Sequence, residues 1–68
     1  MEYKLRNNLK IIRAQYGVTS AAFAAALGIK NNTYSQWETN KSNPNLLQAY
    51  IIAHKLGKNI TEIWELNL

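Results

Sequence analysis

The hydrophobic positions of the chain recur at helical intervals. Leu5, Leu9, Ile12 and Tyr16 are spaced by four, three and four residues, which places them on one stripe of a helix. Gly17 follows as a left-handed stop. Thr19 offers a hydroxyl cap to a second helix of roughly Ser20–Leu27. That helix is short and alanine-rich, so packing must hold it, and Gly28 ends it. A third helix spans roughly 31–39, with Ile29, Tyr34 and Trp37 supplying its inward side. Its cap is either Lys30 or Asn31. The run Asn40-Lys41-Ser42-Asn43-Pro44 is turn-forming, and Asn43, preceding proline, is extended. Asn45 with Gln48 makes a capping box that opens a helix over about Leu46–Leu56, stopped by Gly57. Asn59 with Glu62 repeats that spacing and opens a last short helix carrying Ile60, Ile63 and Trp64. No stretch alternates convincingly with period two. The pattern predicts an all-α fold of five short helices without a sheet, as a single domain over residues 1–68.

Composition narrows the function. At 68 residues, with 47% hydrophobic and 18% charged residues, the chain suits one small globular domain. Without cysteine there is no disulfide or thiolate zinc site. No metal or cofactor is implied. The longest apolar run, 21–27, is too short for a bilayer, and the first residues lack the apolar core of a secretion signal. The expectation is a protein of a reducing cytosol, with no membrane partner. The chain lacks aspartate, has one histidine (His54), and has no glycine-rich phosphate loop, which argues against an enzyme. Net charge is +4, unevenly distributed: +6 up to Lys58 and −2 beyond it. A basic body favours a polyanionic partner.

Residues 20–39 meet the physical specification of two helices crossing at a tight turn. Ala24 is small where the second helix passes close to the first. Gly28 lacks a Cβ where the chain reverses. Tyr34 and Trp37 are bulky enough to wedge the second helix onto the rest.

Together with Leu9-Lys10-Ile11-Ile12-Arg13, Gly17-Val18-Thr19, Phe23-Ala24, Leu27-Gly28-Ile29, Trp37-Glu38, Lys41-Ser42-Asn43-Pro44, Leu56-Gly57 and Ile63-Trp64, these residues resemble the Cro/phage-repressor (XRE-type) helix-turn-helix family over about 8 to 65. The resemblance implies a lambda-repressor-like five-helix domain whose third helix enters the major groove of a double-stranded DNA operator. Asn31, Asn32 and Gln36, with Ser35 as a lesser candidate, would then read bases, since Asn and Gln can pair bidentately with adenine. Amides on an exposed helix face can also simply be solvated. Ser20, Lys30, Thr39, Asn40 and Lys41 would meet phosphates, while Lys10, Lys55 and Lys58 contribute only to the general field. Arg13 and Glu38 would form a partly buried ion pair tying the first helix to the end of the third. Glu62 and Glu65 lie three apart, but capping explains Glu62 better than a carboxylate pair.

Operator binding implies a homodimer. The tail residues Ile60, Ile63, Trp64, Leu66 and Leu68 offer a possible self-association surface, the alternative being that most of them close the monomer's core. Three positions depart from the family pattern. Ser20 stands where Gln usually grips a phosphate, Lys30 where Ser or Thr usually caps, and Thr39-Asn40 where Asn-Gly usually turns. These departures motivate a second reading: an antirepressor, modulator or antitoxin that binds a partner protein such as a cognate repressor.

Overall fold

The computed structural model describes residues 3–67. Five helices are α1 (Leu9–Tyr16), α2 (Ser20–Leu27), α3 (Asn31–Glu38), α4 (Leu46–Leu56) and α5 (Ile60–Ile63). Two short strands flank them, β1 (Lys4–Asn7) and β2 (Trp64–Asn67).

Local chemistry explains the helix limits. The Thr19 hydroxyl accepts the Ala22 amide at 3.2 Å at the start of α2. At the start of α4, Asn45 Oδ1 accepts from the Gln48 amide at 2.8 Å, and Gln48 Oε1 accepts from the Asn45 amide at 3.2 Å. Glu62 Oε1 accepts the Asn59 amide at 3.1 Å, which satisfies a donor at the entry to α5. The helix stops use left-handed backbone: Gly28, at φ 75°, lets the Ile29 amide return to the Ala24 carbonyl at 2.9 Å. The third helix begins at Asn31, with Lys30 in the cap position and no side-chain cap bond.

The strands correct the expectation of a sheet-free fold. They pair antiparallel, with Leu5 opposite Leu66 and Asn7 opposite Trp64. Leu5 therefore belongs to a strand rather than to the first helix, whose apolar stripe begins at Leu9. Trp64 likewise leaves the last helix and starts β2. Each strand has four residues, too few for period-two alternation to stand out from chance. What pairs them is tertiary: the Asn8 amide donates to the Ile63 carbonyl at 2.8 Å, and Asn8 Nδ2 to the Glu62 carbonyl at 3.0 Å. These bonds hold the two ends side by side.

One apolar core joins all five helices and the start of β2. Leu9 and Ile12 enter from α1, Phe23, Ala24 and Leu27 from α2, Tyr34 and Trp37 from α3, Ile52 from α4, Ile63 from α5, and Trp64 follows. Ala24 is almost wholly enclosed, consistent with a small side chain where α2 and α3 pack. The rings of Phe23 and Tyr34 meet edge to face, centroids 5.6 Å apart, a favoured aromatic geometry. Tyr16, expected on the buried stripe, is exposed, its ring 5.7 Å from that of Phe23.

Candidate nucleic-acid interface

The third helix is anchored on one side and open on the other. Tyr34 and Trp37 are buried, which turns Asn31, Asn32, Ser35 and Gln36 outward; all four are exposed. They form an uncharged row of donors and acceptors that can present to base edges. Gln36 is the most constrained of them. Its Oε1 accepts from the Ser42 hydroxyl at 3.4 Å, and its carbonyl accepts the Lys41 amide at 2.8 Å. The loop after α3 thus folds back on that residue. Ser42 had no assigned role from sequence, since its partner is known only once the turn is built.

The candidate phosphate contacts are distributed around this helix. Lys30 immediately precedes α3; Lys41 follows it, and both are exposed. Neither forms a salt bridge among the described residues. Asn40 adopts φ 63°, a left-handed conformation that asparagine tolerates better than most residues. Ser20 is half-buried at the N-terminus of α2. The Thr39 hydroxyl donates to the Ser35 carbonyl at 2.9 Å and its amide to the same carbonyl at 3.1 Å. Both of its donors close the end of α3.

Arg13 and Glu38 meet in a two-pronged contact. Arg13 Nε donates to Glu38 Oε2 at 3.1 Å and Nη2 to Oε1 at 2.9 Å. Arg13 Nη1 also donates to the Val18 carbonyl at 3.1 Å. One guanidinium therefore connects α1, the turn before α2, and the last residue of α3. The arginine hydrogen bonds hold the Glu38 carboxyl below its usual range, and the carboxylate in turn raises Arg13. Beside them the buried Tyr34 hydroxyl has no hydrogen-bond partner among the described residues. Its pKa is pushed up, chiefly by burial.

Two anchoring residues escaped the sequence reading. Asn7 Nδ2 donates to the Trp37 carbonyl at 2.6 Å and to Asn40 Oδ1 at 3.2 Å, while Asn7 Oδ1 accepts the Leu9 amide at 3.1 Å. One amide thus satisfies the first amide of α1 and holds the end of α3. Its only sequence signal is an asparagine just before a helix start. Lys55, assigned to the general field, instead donates from Nζ to the Leu27 carbonyl at 3.0 Å. That bond fastens α4 to the turn between α2 and α3, and no local pattern marks it.

The tail residues divide. Ile63 and Trp64 lie in the core and Ile60 packs partly against it, so these do not offer a free surface. The physical reason is that α5 and β2 close the base of the helical core. Leu66 is exposed, and Leu68 lies outside the described residues. His54 is exposed on α4. Glu65 faces Arg6 at 3.4 Å across the strands.

Comparison with known proteins agrees with this geometry. A helix-turn-helix family model matches residues 9–63. An uncharacterised HTH-type transcriptional regulator of Archaeoglobus fulgidus is 32% identical over 60 residues, covering 88% of this chain and 86% of that protein. Antitoxin HipB of Escherichia coli K12 is 34% identical over 58 residues, covering 85% of this chain and 66% of HipB. A crystal structure of a candidate DNA-binding protein from Bacteroides fragilis superposes with TM-score 0.74 at 28% identity, covering 90% of this chain and 98% of that one. With two helices meeting at Gly28, the second anchored by Tyr34 and Trp37 and open on its amide face, the chain belongs to the XRE-type helix-turn-helix family.

Proposed function

We propose that this protein is a non-enzymatic, sequence-specific DNA-binding transcriptional regulator, Cro-like or repressor-type, of phage or bacterial origin. The outward amide row of α3 carries the proposal. Asn31, Asn32 and Gln36 read base edges in the major groove, with Ser35 assisting. Ser20, Lys30, Thr39, Asn40 and Lys41 contact phosphates and set the register. Two copies engage half-sites one helical turn apart, ~34 Å between centres. The HTH-type regulator from Archaeoglobus and the Bacteroides structure support this reading.

The test is a mobility shift with DNA flanking the gene, comparing the parent with Asn32→Ala and Gln36→Ala. Each bidentate amide–adenine pair lost costs ~1–3 kcal/mol of discrimination. Lys41→Ala weakens binding to all sequences alike and lowers the salt slope by about one. Equal binding of both amide variants to specific and random DNA removes α3 as the reader.

A second reading keeps the fold but makes a protein the partner, as an antitoxin, modulator or antirepressor. The likeness to antitoxin HipB favours it, as does serine at position 20. Such a protein shows no DNA shift even at low salt, and its partner complex is far less salt-dependent than a phosphate-bound one.

A further inference from the structure

We infer that Asn7, at the end of β1 in the two-stranded ribbon, is a positioning residue for DNA binding: it fixes the side-chain amide of Asn40 so that the NH2 end faces outward as a donor to a backbone phosphate. The inference deepens the DNA-binding reading and rests on it for the ligand.

An asparagine amide has a donor end and an acceptor end of nearly the same shape, so a lone side chain can turn either end outward. Asn7 has no such freedom. Its Oδ1 accepts the Leu9 main-chain amide at 3.1 Å, and its Nδ2 donates to the Trp37 main-chain carbonyl at 2.6 Å. Main-chain groups cannot exchange the parts of donor and acceptor, so these two bonds settle which end of Asn7 lies where. The same Nδ2 meets the side chain of Asn40 at 3.2 Å, and the atom that faces it is the acceptor, Oδ1. The polarity of one amide thereby passes to the next. Asn40 turns its acceptor inward to Asn7 and leaves its Nδ2 end for the outside, on a residue that is exposed.

Phosphate oxygens accept hydrogen bonds and do not donate them, so the end of Asn40 that faces the DNA backbone decides whether the contact attracts or repels. The main chain offers no substitute here. The Asn40 amide donates to the Trp37 carbonyl at 3.0 Å and the Lys41 amide to the Gln36 carbonyl at 2.8 Å, so these two residues meet an anion through their side chains. Lys41 is exposed next to Asn40 and brings the charge. Asn40 brings a directed, neutral donor. Its backbone stands at φ 63°, where glycine would make the same turn without strain but without the donor. A bond that starts at the entry to α1 thus ends, through two asparagines, at the DNA side of the loop after α3.

The experiment is a double-mutant cycle on the full chain: parent, Asn40→Gly, Asn7→Ala and the double variant. Anisotropy measures binding to a random-sequence duplex and to DNA flanking the gene, and circular dichroism verifies each fold. Asn40→Gly keeps the turn and should weaken both duplexes alike by about tenfold, the worth of one hydrogen bond to a charged group. The salt slope should stay unchanged, because a neutral donor releases no counterion. Asn7→Ala should also weaken binding, and its loss should be at least about threefold smaller in the Asn40→Gly background. Equal losses in the two backgrounds overturn the inference, since a purely structural Asn7 acts whatever stands at position 40. An Asn40→Gly variant that binds like the parent overturns it as well. NMR relaxation of the side-chain NH2 groups in the free parent tests the orientation without DNA and without a variant. The Asn40 group should be more ordered than those of the exposed Asn31 and Asn32, and mobility equal to theirs overturns the inference. A parent that binds neither duplex defeats the DNA-binding reading and the phosphate role with it, while relaxation still decides whether Asn7 fixes Asn40.

Discussion

Replacing Asn7 by alanine removes one side chain that makes three bonds. Two are partly buried: the 2.6 Å bond to the Trp37 carbonyl and the 3.1 Å bond from the Leu9 amide. The third, to Asn40, is exposed and adds little. A net intramolecular hydrogen bond contributes ~0.5–1.5 kcal/mol, and two such bonds are lost. The Trp37 carbonyl keeps the Asn40 amide at 3.0 Å, so it is not orphaned. The expected loss is therefore ~2 kcal/mol. For a domain of this size each kcal/mol shifts Tm by ~4–8 °C, so the midpoint should fall by ~8–16 °C. Thermal and urea unfolding followed by circular dichroism measure this. Asn7→Asp is the informative control. It keeps an acceptor for the Leu9 amide but sets a carboxylate against the Trp37 carbonyl and Asn40 Oδ1, so it should be no more stable than Asn7→Ala. An Asn7→Ala midpoint corresponding to less than ~0.5 kcal/mol, the range of ordinary surface substitutions, would refute the claim that this amide anchors α3 to the ribbon.

Further outcomes follow from the same contacts. Glu38 has a folded pKa below its unfolded value because Arg13 donates to it. Its contribution is therefore fully present above the unfolded pKa of ~4.3 and is lost as pH falls through the lower folded value. Parent and Glu38→Gln melting temperatures should differ at neutral pH and converge in that acid window; a difference within a degree at pH 7 excludes a structural role for the pair. Tyr34→Phe removes a buried hydroxyl that has no hydrogen-bond partner among the described residues, while keeping the ring contact with Phe23. It should raise stability by ~1 kcal/mol, and a lowered midpoint would show that the hydroxyl is bonded. Lys55→Met severs the bond to the Leu27 carbonyl and should cost ~1 kcal/mol, with the salt slope of DNA binding unchanged; a slope reduced by one unit would instead make Lys55 a phosphate contact.

Where partners lie within a few residues, the sequence by itself determined the outcome. Thr19, the Asn45–Gln48 box and the glycine stops delimit helices because a cap or a left-handed turn needs only its neighbours. Tyr34 and Trp37, three residues apart, settle which side of α3 is buried and so leave the amides outward. Tertiary structure alone decided the rest. The strands join Leu5 to Leu66, Asn7 reaches Trp37 and Lys55 reaches Leu27, and Trp64 leaves its helix to seal the core. Each of these depends on groups brought together only after the helices pack. Short-range periodicity carries no information about which distant carbonyl or strand edge will be left to satisfy.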